Sequence, residues 1–229
     1  MRHGGFWLAL CLVSSTALAG CFDPHRVTVP QATLDASGLE WNVTLRPQQG
    51  GSFGAKSVET LYSFDPEGDD PPFGGVLQVF SLRSGERRST EELLRFTREA
   101  VSEAVQREGI DLDPSKDGEG TRTLRNGVTS KWFSREGTIE EARGFFFDED
   151  DITVRIHGEV GYDGKSSTSF VAIAFAQVAR ETSVLPGFSN QQTSERTWFE
   201  LVADPRGSVG GASFTSEDRG FIYNLRTHD

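Results

Sequence analysis

The side chains that could do chemistry in this 229-residue chain are few, and most fail on spacing. His157 stands in the alternating stretch Ile152-Thr153-Val154-Arg155-Ile156-His157, where a partly exposed structural imidazole is expected. A histidine base needs a nucleophile within hydrogen-bond reach, and no Gly-x-Ser-x-Gly elbow supplies one. Gly164-Lys165-Ser166 invites a phosphate-loop reading, but the position five before Gly164 is Glu159 rather than glycine, and Asp163 sets a carboxylate beside the would-be phosphate. It reads instead as a turn leading into a helix, with Ser166 or Ser167 as N-cap. Asp113-Pro114-Ser115-Lys116-Asp117-Gly118 reproduces the first half of a calcium loop, with oxygen ligands at Asp113, Ser115 and Asp117. Its twelfth position is Leu124 instead of a bidentate glutamate, so a polar turn competes with the calcium reading. No catalytic or cofactor-binding residues, and no other metal ligands, are expected.

One nucleophile remains, at the N-terminus. Met1-Arg2-His3-Gly4-Gly5 is followed by the apolar stretch from Phe6 to Leu18 and then by Ala19-Gly20-Cys21. At ~1.5 Å per residue that stretch spans roughly 20 Å, short of the ~30 Å hydrocarbon core, so it reads as a secretory signal rather than a membrane span. Leu18-Ala19-Gly20-Cys21 resembles the lipobox of bacterial lipoproteins. The resemblance implies cleavage between Gly20 and Cys21, with a diacylglycerol thioether and an N-acyl chain on Cys21. Two or three acyl chains hold stably where one is reversible. An ordinary signal peptide whose next residue happens to be cysteine is the alternative. Cys11 would leave with the signal, and the mature chain would have no disulfide.

The formal net charge is −11. Loss of residues 1–20 removes Arg2 alone among the charged groups, taking the count to 22 cations against 34 carboxylates, a net −12. Such a field repels nucleic acid, and no nucleic-acid partner is expected. Two cysteines exclude a disulfide scaffold and Cys-based zinc modules.

The elements that would position any site follow from periodicity. Phe22 to Ala36, with Pro24 and Pro30, reads as a tether over 21–37. Leu39 to Leu45 alternates as a half-buried strand with Leu39, Trp41, Val43 and Leu45 inward, and Val58–Phe64 and Val76–Leu82 read as two more. Asp65 to Pro72, with three prolines and four carboxylates, reads as a solvated loop. Ser89 and Glu92 form a capping box for a helix with an apolar stripe through Leu93, Phe96, Ala100, Val101, Ala104 and Val105, ended by Gly109. Val128–Glu136, Gly144–Asp148 and Ile152–Val160 read as strands, the last two as a hairpin around Asp148 to Asp151. A second, mostly buried helix is expected over Ser167–Arg180, through Phe170, Val171, Ala174, Phe175 and Val178. Residues 186–229 form a short extension with apolar runs at Trp198–Val202 and Phe221–Leu225, a terminal hairpin or a loosely docked arm. Trp41, Trp132 and Trp198 either fill the core or line a ligand groove.

The expected fold is α+β: a largely antiparallel sheet packed by two helices over 38–185, with a β-rich C-terminal extension. The Trp41 strand, the Thr90–Glu108 helix, the strand Gly127 to Phe133, the Phe145–Val160 hairpin and the closing Phe170–Arg180 helix together resemble the Mog1/PsbP-like fold. Proteins of that fold are assembly factors, binding modules or proteins of unknown role, so the resemblance carries no catalytic residues over; with no catalytic constellation in the sequence, a non-enzymatic binding or scaffold role and no cofactor are expected. With the lipobox it implies a membrane contact through Cys21, an outer-membrane or cell-surface location and an envelope protein partner. A carrier of an apolar ligand between sheet and helix is the second reading, and a hydrolase a distant third.

Overall fold

A computed structural model describes residues 25–36, 41–48, 56–64, 75–83, 88–139, 152–177, 202 and 220–228. They form an α+β structure with two helices and a mostly antiparallel sheet. In chain order the elements are β1 (Arg26–Thr28), α1 (Gln31–Ala36), β2 (Asn42–Gln48), β3 (Lys56–Phe64), β4 (Gly75–Arg83), α2 (Thr90–Arg107) and β5 (Ile110–Leu112). A 3-10 turn at Pro114–Lys116 leads into β6 (Gly118–Thr123), β7 (Thr129–Ile139), β8 (Ile152–Asp163), β9 (Thr168–Gln177) and β10 (Arg226–His228). The large sheet runs β2-β3-β4-β9-β8-β7-β5, with β6 also on β7. β1 and β10 form a separate two-stranded ribbon in which Thr28 faces Arg226.

Residues opposite one another across antiparallel strands share a sheet face. One face carries Phe80, Leu82, Val160, Val171 and Ile173, and α2 lays Leu93, Leu94, Val101 and Val105 on it. The helix starts as its cap predicts: Ser89 Oγ accepts from Glu92 N at 3.2 Å. Gly109 follows it at φ +69°, a left-handed conformation that suits glycine. The opposite face carries Tyr62, Leu77, Val79, Phe170, Ala172 and Ala174. Its cover comes from both ends of the described chain: Val27, Val29 and Leu34 from one, Phe221, Ile222 and Leu225 from the other, with Val202 beside them. Val27 N donates to Ser81 Oγ at 2.8 Å and Val29 N to the Tyr62 hydroxyl at 2.9 Å, so the covering layer is tied to the sheet by buried polar bonds as well.

Four expectations need correction. The helix expected over Ser167–Arg180 is β9, hydrogen-bonded to β4 on one side and β8 on the other. A segment apolar all round fits a buried helix or a central strand equally. Here both faces of the sheet are covered, so Val171 and Ile173 bury towards α2 while Phe170, Ala172 and Ala174 bury towards the terminal layer. Gly164-Lys165-Ser166 accordingly lies in the β8–β9 turn, where Asp163 accepts from Lys165 N and Ser166 Oγ, and Ser167 takes φ 54°.

The tether expected over 21–37 is largely structure, because Val27, Val29 and Leu34 are apolar anchors whose spacing across a proline matched neither simple period. The domain therefore extends beyond 38–185 at both ends. Residues Phe221–Asn224 form a turn rather than a strand, and β10 pairs with β1 rather than within the extension. In β2 the expected inward pair lies on the expected face, opposite Tyr62 and Thr60, but is uncovered: Val43 and Leu45 are 49% and 46% exposed. β2 is the sheet edge, beyond the reach of the terminal layer. Leu39, the Gly144–Asp148 strand and Trp198 lie outside the described residues.

Candidate functional site

The β8 alternation puts His157 and Glu159 on the sheet face beneath the terminal layer, two residues apart and both with no exposed surface. Neighbouring strands bring their partners. Ser130 comes from the start of β7, and Arg122 from β6, where it stands opposite Ser130. Glu159 is the hub. Arg122 grips its carboxylate with both Nε (2.9 Å) and Nη2 (2.7 Å), the Ser130 hydroxyl donates to it, and His157 Nε2 lies 2.9 Å away. An ionised carboxylate accepts only, so His157 is the tautomer with its proton on Nε2. Trp132 stacks on His157 with ring centroids 5.8 Å apart. On its other side Trp132 lies over β6, where a side chain at Gly120 would stand 2.8 Å from the indole.

This arrangement differs from a nucleophile and its base. Ser130 and His157 both donate to Glu159, so the imidazole is not placed to take the hydroxyl proton. What the cluster does is lock three strands together through a charge that takes four hydrogen bonds from three side chains. Burial pushes the Glu159 carboxyl up, but the hydrogen bond from His157 and the Arg122 guanidinium outweigh it and hold it down at about 2. His157 is held below the ordinary imidazole range, chiefly by burial, against the opposing pull of Glu159.

Both shifts act in the same direction on stability. With folded values below unfolded ones, the unfolded chain binds more protons as pH falls. Stability is complete above ~6.5, declines as the unfolded imidazole titrates, and declines again from ~4.3 downward as unfolded Glu159 takes its proton. Urea midpoints measured from pH 7 to pH 3 should therefore fall, and Glu159→Gln should flatten the lower step; an unchanged profile in that variant would remove Glu159 as its source.

A second feature is an apolar cleft between α2 and the sheet, lined by Val76, Val105, Ile110, Ile156 and Phe175, with Gln78 as its polar member. Water centres have about 20 Å³ in it, room for about one water, whereas small-molecule sites run to roughly 300–1,000 Å³. The third is the edge strand β2 with Val43 and Leu45 uncovered. Val43 stands opposite Tyr62 and Leu45 opposite Thr60, so both continue the covered face past its cover.

The residues singled out by sequence are placed separately. Asp113 accepts from Ser115 N (2.9 Å) and Ser115 Oγ (2.6 Å), capping the 3-10 turn; these bonds hold its carboxyl below the ordinary range. Asp117 lies 3.7 Å from Arg135 Nε, and Leu124 is in the core. Two of the three calcium-loop oxygens are thus engaged with each other and the third faces a cation. Among the described residues no group of three or more His, Cys, Asp or Glu side chains converges as a metal site. His157 is fully buried, where partial exposure was expected. Gly20 and Cys21 lie outside the described residues. Among those described, no helix is long and apolar enough to cross a membrane. Sequence reasoning missed Arg122, Ser130 and Glu159. The alternation of His157 and Glu159 with the apolar Val154, Ile156 and Val160 along β8 was the available signal.

Comparison with protein-family models, with curated proteins and with solved structures returned no match to this chain.

Proposed function

We propose that this chain is an exported protein, anchored by lipid on Cys21 at the outer membrane or cell surface, that binds a partner envelope protein without catalysing a reaction. The observation that carries the reading is β2. It is the edge of the large sheet and presents Val43 and Leu45 at 49% and 46% exposure. An edge strand offers backbone donors and acceptors, and alternate apolar side chains give a partner's extended segment something to pack on. The occupant is therefore an added strand from another protein. Kinship with the Mog1/PsbP-like fold belongs to the same proposal: a helix on one sheet face and a separate cover on the other support it, while β9 in place of the closing helix weighs against it.

Copurification of the full-length lipoprotein from envelopes tests this. The wild type should return a partner that the double variant Val43→Asp, Leu45→Asp loses while keeping its circular dichroism spectrum. A wild-type monomer carrying only bound lipid would overturn the reading in favour of an apolar-ligand carrier. For the anchor, Cys21→Ala should leave the precursor uncleaved or release the protein from membranes. An unchanged mass and membrane partition would overturn lipidation.

A further inference from the structure

We propose that Asn42 is an N-glycosylation site, which takes an oligosaccharide from a lipid-phosphate donor. The proposal rests on the exported reading above, because such sugars are carried by secreted chains. Its first support is the sequence. The transferring enzymes take asparagine in the pattern Asn-x-Ser/Thr, where x is any residue but proline. Asn42-Val43-Thr44 meets that pattern. The chain has three other asparagines, Asn126, Asn190 and Asn224, and the residues two places after them are Val128, Gln192 and Arg226, none with a hydroxyl. Asn42 is thus the one acceptor that the sequence offers.

Placement is the second support. Asn42 is the first residue of β2, opposite Ser63 of β3, and among the described residues no strand lies beyond β2. Positions two apart on a strand share a face, so Asn42 and Thr44 project together on the side away from Val43 and Leu45, and both are exposed. Among the described residues neither side chain is held in a hydrogen bond. The other described asparagines are engaged: Asn126 Oδ1 accepts from Val128 N at 2.9 Å. Asn224, 1% exposed, accepts from Arg125 and donates to the Gly220 carbonyl. In the transfer Asn42 Nδ2 attacks the anomeric carbon of the donor sugar. The C–N bond forms, the anomeric C–O bond breaks, the lipid phosphate leaves with the electron pair, and one amide proton passes through the transferase to solvent. The attached sugar extends from the face opposite the apolar pair, which stays open to a partner.

The test uses the full-length chain made in its own host, extracted from envelopes and digested with trypsin, which cuts after Arg26 and Lys56 but not between Arg46 and Pro47. The wild-type peptide 27–56 should be heavier by whole sugar residues and should release sugar fragment ions. Asn42→Gln and Thr44→Ala should each abolish that shift, whereas Thr44→Ser, which keeps the hydroxyl, should retain it. An unshifted wild-type peptide from protein that carries lipid on Cys21 overturns glycosylation and leaves export standing. A shift that survives Asn42→Gln overturns Asn42 as its site. A wild type that keeps residues 1–20 and bears no sugar overturns both readings, while a glycosylated chain without lipid supports the site and overturns the anchor alone.

Discussion

Arg122→Met should lower the unfolding free energy by about 3–5 kcal/mol, the usual cost of removing one member of a buried ion pair. The arginine side chain is 10% exposed and Glu159 not at all, so the carboxylate would keep only Ser130 and His157 as donors in a site that water does not reach. The loss comes from the charge left behind more than from the bond removed. Replacing both partners separates these contributions. Arg122→Met with Glu159→Leu should recover part of the loss, since apolar residues of similar volume can substitute for a buried pair, while Ser130 and His157 lose the acceptor that Glu159 gave them. Urea unfolding followed by tryptophan fluorescence reads each variant. A single-variant loss under about 1 kcal/mol, typical of exposed pairs, would mean that water reaches the cluster.

Phe221→Ala should cost a comparable ~3–5 kcal/mol. Phe221 is fully buried and meets Trp41 edge to face, ring centroids 4.8 Å apart at 72°. Truncation removes the packing and leaves a void between the sheet and its terminal cover. The same layer is fixed by Arg125 N donating to the Tyr223 carbonyl at 3.1 Å and by Thr227 Oγ1 donating to Asp163 at 2.9 Å, so residues 220–228 behave as core rather than appendage. Thermal unfolding that shifts by only a degree or two in this variant would return the segment to the status of a loose arm. A milder loss in Phe221→Leu would show that volume is what matters.

Legibility in the sequence followed how local each signal is. α2 was readable because its cap, stripe and terminal glycine all lie within one run of residues, Ser89 to Gly109. β3 and β4 were readable from their apolar runs. β9 was misread because Phe170 to Ala176 is apolar at every position, and only the presence of cover on both sheet faces distinguishes a central strand from a buried helix. β1 and α1 were missed for a different reason. Three anchoring side chains on either side of Pro30 carry no period, and their partners Tyr62, Ser81 and Phe221 are distant in sequence. The buried cluster was half legible. His157 and Glu159 share a strand, but Arg122 and Ser130 reach them only through the pairing of β6 with β7 and β7 with β8. The exposure of Val43 and Leu45 depends on where the terminal layer stops, which no local pattern encodes.

The β1–β10 ribbon also sets a timetable. Its strands join residues about 200 positions apart, a loop closure that makes folding slow compared with helix or hairpin formation. β1 is synthesised about 200 residues before its partner Arg226–His228. Until that partner is available, the sheet face carrying Tyr62, Leu77 and Phe170 lacks part of its cover. That cover can therefore close only after residues 220–228 have been made, however early the strands beneath it have paired.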